Sequence, residues 1–295
     1  MEKSAPNRAA GEKAFDTAIY IIASVILAIV LYPLVFIVSA SFSDPGEVVA
    51  GHMWLWPKGW SVQSYKLVFE NGDVWRGYLN TIVYAVVGVC VNLVMTVLAA
   101  YPLSRQDLPG RNVFMFGYVF TMFFSGGLIP TYLVVRDLGL VNTMWALIVP
   151  TAIATFNLII MRTFFQTIPV ELQESASMDG CTNGRLLLSV VLPLSKPILA
   201  VMLLYYGVAH WNSFFNALIY LNDHDKYPLQ LILREILIQN QATADLNDPN
   251  FADRIMMAES IKYALIVVAS IPVLLLYPFV QRYFVQGVMI GAIKG

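Results

Sequence analysis

The chain has 295 residues, 58% of them hydrophobic and 13% charged, with a mean hydropathy of +0.66 and a formal net charge of −1 at pH 7. That charged fraction is half the usual ~25% and excludes an ordinary soluble globular protein, while the near-neutral balance excludes a basic nucleic-acid-binding face. Two cysteines, Cys90 in an apolar run and Cys181 in a polar loop, are too few for a disulfide framework.

Lys3, Arg8 and Lys13 precede an apolar run, and Val38-Ser39-Ala40 has the look of a signal-peptidase site. The run exceeds the roughly 7–15 residues of a signal-peptide core, so it is read as a retained first span, 17–40. Segment 41–78 carries HMWLWPKGW, with Trp54, Trp56 and Trp60 beside Lys58. Such rings suit stacking on a sugar or, the reading adopted, an aromatic belt at a membrane interface. Further apolar stretches follow at 79–103, 113–135 and 139–161, then at 197–221 and 263–281. Each approaches or exceeds the ~20 residues of a spanning helix. The alternation of a barrel strand is absent, and lipid offers a backbone no hydrogen-bond partners, so each is expected to be a helix. Between the last two spans, YPLQLILREILIQN repeats Leu229, Ile232, Leu233, Ile236 and Leu237 at helical spacing and predicts a short amphipathic helix. The tract Ala242 to Asp253 reads as an exposed loop.

Six spans put both termini on one side. With that side inside, the inner segments hold ten of the 18 Lys and Arg but only seven of the 19 Asp and Glu, the bias expected of cytoplasmic segments. The expectation is an all-α membrane protein of six transmembrane helices, one domain over 1–295, with a cytoplasmic loop at 169–197.

That loop is tightly punctuated. Pro169 can sit in a first helical turn, and Glu171 and Glu174 follow where negative charge complements the helix dipole. Ser175, Ala176 and Ser177 are small enough for another surface to approach the backbone. Asp179-Gly180 then stops the helix, glycine being suited to a left-handed C-terminal cap. A second short helix is expected from about Asn183 through the apolar run to Leu192, and Pro193 and Pro197 break it before the next span. This object has no catalytic pairing and suits docking into a groove of a partner.

The pattern Glu174-Ser175-Ala176, Asp179-Gly180, Leu192-Pro193 and Pro197 resembles the EAA motif of bacterial ABC importer permeases. Ser175 stands where that family has its first Ala, and Cys181 follows the Gly where Ala is usual; both replacements are small. The Trp211-Asn212 pair, the long loop before the last span, WPKGWSVQSY and YPLQLILREIL narrow the resemblance to carbohydrate importer permeases of the maltose type, in the complex-oligosaccharide subgroup. The resemblance implies the ABC importer type I permease fold, with the loop as a coupling helix. It assigns Glu171, Glu174, Ser175, Ala176, Asp179, Gly180 and Cys181 to the ATPase-coupling surface, with Pro193 and Pro197 as structural supports. It also implies a second homologous permease, two ATPase subunits and an extracellular solute-binding protein. The chain has no G-x-x-x-x-G-K-[ST], so no cofactor is expected on it, ATP and Mg belonging to the partner ATPase.

A translocation path needs polar groups facing inward among the spans. Tyr205, Asn212 and Asn216, with Ala209 and Ser213, would share one face of a fifth span, and Trp211, Asn92 and Asn157 complete the candidates for an oligosaccharide path. Hydrogen bonding between helices is the competing role for each of them. An ion-coupled secondary transporter would want ionisable groups within the spans, where only His210 is available. A membrane enzyme would need a nucleophile–base set or metal ligands, and a purely structural scaffold would need no ATPase.

Overall fold

The computed structural model describes residues 10–242, 261–275 and 278, which contain helices and no strand. In chain order the α-helices are α1 Ala10–Ser41, α2 Pro45–Val49, α3 Gln63–Glu70, α4 Gly72–Ser104, α5 Arg111–Phe123, α6 Leu128–Asp137 and α7 Trp145–Ile148. Then come α8 Thr155–Phe165, α9 Val170–Met178, α10 Asn183–Leu186, α11 Leu192–Leu194, α12 Lys196–Trp211, α13 Phe215–Tyr220, α14 Leu229–Ala242 and the apolar helix α15 Ile261–Leu275. Most of the expected exposed loop, residues 243–253, lies outside the described residues, as does the end of the expected last span apart from Pro278.

Among the described residues, two helices are each long and apolar enough to cross a membrane, Phe15–Ser41 and Gly72–Ser104, matching the expected spans 17–40 and 79–103. The expectation of single helices fails for the next three. The stretch 113–135 is α5 and α6, bent by 117° at Phe124–Gly127, where Gly127 takes φ +88°, open to glycine but strained for other residues. The stretch 139–161 is the pair Trp145–Thr151 and Thr155–Phe165, bent by 52° at Ala152–Ala154, just after a tight 3-10 turn that contains Pro150. The segment Asn183–Leu194 meets α12 at 83° around Ser195, between Pro193 and Pro197, and α12 itself stops at Trp211, ten residues short of the expected Leu221.

The described residues fall into two compact units, one running to Asn71 and including Ile236–Ala269, the other comprising Gly72–Glu235 and the residues from Ser270. In the first unit α1 exposes nearly every apolar side chain from Phe15 to Val38, and packing begins only at its end. There the Ser39 hydroxyl donates to the Leu55 carbonyl (2.6 Å), Ser43 to the Ser39 carbonyl (2.7 Å), and Ser41 pairs with Tyr65 (2.8 Å). Phe42 stacks on Trp60 at 5.1 Å, so one face of that ring is taken by the protein itself, while Trp54 and Trp56 stand exposed. Tyr263 of α15 meets Phe36 of α1 edge-on at 5.9 Å.

In the second unit α4 is the hub on which α8 and α12 pack. Its buried stripe includes Gly77, Thr81, Tyr84, Gly88, Asn92, Thr96 and Ala100, a face of small and polar residues at spacings of three and four. Its exposed side carries Leu79, Ile82, Val83, Val86, Val94 and Leu98. This is the pattern of a helix whose outer face meets lipid: small residues let backbones approach, and hydrogen bonds between helices replace a hydrophobic drive. The amphipathic helix forms as α14, and its start is seated on α4. Leu229 N–H donates to Thr81 Oγ1 (2.8 Å), and Gly77 leaves room for the Leu229 backbone.

Beside it, Asn142 adopts φ +61°, its side-chain oxygen accepts the N–H groups of Asn222 (3.2 Å) and Asp223 (3.1 Å), and its carbonyl accepts Lys226 Nζ (3.1 Å). Asn142→Ala leaves those two N–H groups without the side-chain acceptor and puts a residue less tolerant of the left-handed region in its place. A loss of about 1–3 kcal/mol is expected, read as a lower melting temperature of the detergent-solubilised protein; unchanged melting would show the cap to be idle.

Candidate functional site

The segment from Pro169 to Pro197 forms a helix, a turn and a second helical run. In α9 the residues Glu171, Glu174, Ser175 and Met178 share one exposed face, with Met178 at 88% exposure, whereas Gln173 and Ala176 are half-buried on the opposite side. The helix ends in a Schellman cap: Cys181 N–H donates to the Ala176 carbonyl (3.0 Å) across Gly180 at φ +71°. A Cβ built on Gly180 meets no atom within 4 Å, so glycine is required there by the backbone and not by crowding. Asp179 is exposed and Cys181 half-buried in this turn. Thr182 then caps α10, its Oγ1 accepting Arg185 N–H at 3.4 Å. The expected second helix is α10, a π-helical turn Leu187–Val191 and α11, with Pro193 exposed and Pro197 half-buried in the first turn of α12.

Beside α9 lies the loop that leaves α4, which the sequence reading did not single out. Arg105 makes a two-pronged pair with Asp107, Nε to Oδ1 and Nη2 to Oδ2, both at 2.8 Å. Its third nitrogen, Nη1, lies 3.4 Å from the Gln173 Oε1 of α9 and 3.4 Å from the Tyr101 hydroxyl. Arg111 donates to the Arg105 carbonyl (3.1 Å) and Arg162 to the Leu103 carbonyl (2.9 Å), so three arginines fold this loop down. The bonds from Arg105 hold the Asp107 carboxyl below its ordinary range, and the same pairing raises the guanidinium further. A carboxyl with a lowered folded-state pKa contributes stability at neutral pH and loses it as the pH falls through that pKa, so the pair stays charged at neutrality. The signal in sequence was Arg-Gln-Asp directly after an uncharged span, a charged turn at a helix end. A cavity of about 690 Å³ opens here, walled by Arg105, Arg111, Phe165, Gln173, Glu174 and Met178 among others.

The candidates for a substrate path separate into two groups. Tyr205 and Asn212 are exposed and Asn216 half-buried, but α12 ends at Trp211 and α13 starts at Phe215, so they do not form one continuous helical face. Trp211, Asn157 and Asn92 are buried. Asn92, fully buried, donates through Nδ2 to the Thr151 (2.7 Å) and Ala152 (3.0 Å) carbonyls, two groups freed by the break between α7 and α8. Its Oδ1 therefore faces His210 Nε2 at 2.6 Å, and since a carbonyl oxygen only accepts, that nitrogen donates. Tyr206, rather than the neighbouring Tyr205, pairs with Thr96 (2.7 Å), and its hydroxyl oxygen accepts the Ala154 N–H (3.3 Å). Asn92, Thr96, Tyr206 and His210 thus pin the kink of the preceding span, the polar satisfaction a broken helix requires where water is excluded.

The sequence pattern of the family described as "Binding-protein-dependent transport system inner membrane component" matches residues 92–290. Protein LplC of Bacillus subtilis (strain 168) is 42% identical over 283 residues, 96% of this chain and 96% of that protein. The polygalacturonan/rhamnogalacturonan transport system permease protein YtcP of the same organism is 43% identical over 282 residues, 95% of this chain and 98% of that one. Among solved structures, a chain of a bacterial ABC transporter involved in import of the acidic polysaccharide alginate superposes with a TM-score of 0.85 at 34% identity, covering 95% of this chain and 100% of that one. A secondary transporter, a membrane enzyme and a passive scaffold are all set aside by this membership. With a helical architecture shared along nearly its whole length and a family match spanning the punctuated loop, the chain belongs to the binding-protein-dependent inner-membrane transport components, as the membrane-embedded, non-enzymatic permease subunit of an ABC importer.

Proposed function

We propose that this permease carries an oligosaccharide across a bacterial plasma membrane and that α9 is its coupling helix. The observation that carries the coupling reading is the exposed Glu171–Glu174–Ser175–Met178 face, backed by a rigid Schellman turn at Gly180. A short helix with an exposed apolar tip and fixed ends suits docking in a groove of an ATPase and passing on its movement. Glu171, Glu174, Ser175, Asp179 and Gly180 form that contact, with the small, half-buried Ala176 and Cys181 supporting it from behind. The chain acts as one transmembrane permease domain of six spans, the pairs α5–α6, α7–α8 and α12–α13 counting as one each, with both termini cytoplasmic. It pairs with a second homologous permease, two ATPase subunits that bind ATP and Mg, and an extracellular solute-binding protein. The relatives support a sugar cargo, since one is named for polygalacturonan and rhamnogalacturonan and the solved neighbour for alginate. Uronate-containing oligosaccharides are therefore the first class to try, with Tyr205, Asn212 and Asn216 the neutral groups available to meet them; Asn92, Asn157 and Trp211 serve the path by shaping it.

Purification from the native membrane in mild detergent tests this reading. An ATPase, a second permease and a solute-binding protein are expected to come with the chain, and a Ser175→Cys variant, on the exposed face, is expected to crosslink to the ATPase. Recovery of the chain alone, with no crosslink, would remove the coupling role of α9.

A further inference from the structure

α9 has chain connections on two sides only: through residues 166–169 to α8, and through the turn at 179–182 towards α12. The hub of the unit, α4, has none, although both α8 and α12 pack on it. What bridges α4 to α9 is Arg105, one residue beyond the end of α4. Asp107 occupies Nε and Nη2 of the guanidinium, and this fixed fork aims the remaining nitrogen at Gln173, on the half-buried face of α9 turned away from Met178. The Arg105 side chain is only 18% exposed, and its own backbone is held by Arg111.

We propose that Arg105 is a positioning residue for coupling: it ties the end of α4 to the inward face of α9, so that a tilt of α9 reaches α4 directly as well as through α8. This rests on the coupling reading of α9. A planar fork can be oriented by one carboxylate while presenting another N–H to an amide; a lysine ammonium, a single point of charge, cannot do both in fixed geometry. Met178 and Glu174 stay free to face a partner while Gln173 is held from behind.

The test places spin labels at Leu172→Cys on α9 and Val94→Cys on α4, both exposed sites, with Cys90 and Cys181 replaced by Ala. Distances are measured by pulsed electron resonance on the detergent-purified chain with its ATPase, without nucleotide and with ATP plus EDTA to block hydrolysis. With Arg105 intact, one narrow distance population is expected in both states. Arg105→Ala and Arg105→Lys are expected to widen it and add a second population. Should Arg105→Ala fail to insert, Gln173→Ala, altered at the other end of the tie, carries the same expectation. Distributions that match those of the parent in every variant would overturn the proposal, and so would a parent distance that shifts with ATP. If no ATPase is recovered with the unsubstituted chain, it is the coupling reading that fails; the widths measured on the labelled chain by itself still decide the Arg105 tie.

Discussion

Gly180→Arg is expected to abolish uptake while leaving the chain inserted in the membrane. The site has open space, with no atom within 4 Å of a built Cβ, so the arginine does not clash with the protein's interior. Two effects act instead. The first is backbone strain, because φ +71° is a left-handed conformation that costs a non-glycine residue about 1–2 kcal/mol, enough to loosen the turn that ends α9. The second is a long cationic side chain at the rim of the exposed Glu171–Met178 face, where a close-fitting partner would have to make room. Gly180→Ala separates them, since it carries the strain without the bulk, and it is expected to keep a substantial part of the uptake. Cells expressing each variant would be compared for membrane-fraction abundance and for uptake of a labelled oligogalacturonide or of the sugar identified on the copurified binding protein. Normal uptake by the arginine variant at normal abundance would sink the docking role of this turn.

The second large effect is expected from Gly88→Ala. A Cβ there would overlap the imidazole of His210, meeting Nε2, Cε1 and Cδ2 at once. The ring cannot swing aside freely, because it is buried and its Nε2–H is engaged by the fully buried Asn92. Displacing it costs about 1–3 kcal/mol for the forced repacking and about 1–3 kcal/mol for leaving Asn92 Oδ1 unpaired. Asn92 also holds the Thr151 and Ala152 carbonyls at the kink before α8, so the damage should spread from the α4–α12 contact to α8. The check is the melting temperature of the solubilised protein together with that of His210→Ala and of the double variant. Once the ring is gone the added methyl has room, so the double variant is expected to be about as stable as His210→Ala alone. A Gly88→Ala protein melting like the parent would mean that this contact is loose.

Much of the candidate site was legible because its signals are local. Pro169, the acidic first turn, Gly180 and the Pro193–Pro197 pair act within a few residues of where they stand, and a left-handed cap or a missing N–H has nearly the same consequence in any fold. The amphipathic start of α14 was legible for the same reason: five apolar residues at helical spacing can form one face before anything packs on it. The bends were less so. Ser125-Gly126-Gly127 and Pro150 are visible as helix breakers, yet an uncharged run of more than 20 residues reads as one span by hydropathy, which responds to composition and not to direction.

What the sequence by itself determined is that this chain lies in a membrane as a set of helices, and that residues 169–197 form a punctuated helix–turn–helix. What only the tertiary structure decided is which polar residues face other helices. Tyr206 and not Tyr205 meets Thr96, Asn92 mends a broken span, and Arg105 reaches back to Gln173. The reason is physical. In a soluble helix the apolar stripe marks the buried side, but lipid is as apolar as a protein core, so both sides of a spanning helix can be hydrophobic. The inward side of α4 is told apart only by small and polar residues whose partners lie 59 to 148 positions away in the chain, and no window of sequence contains both members of such a pair.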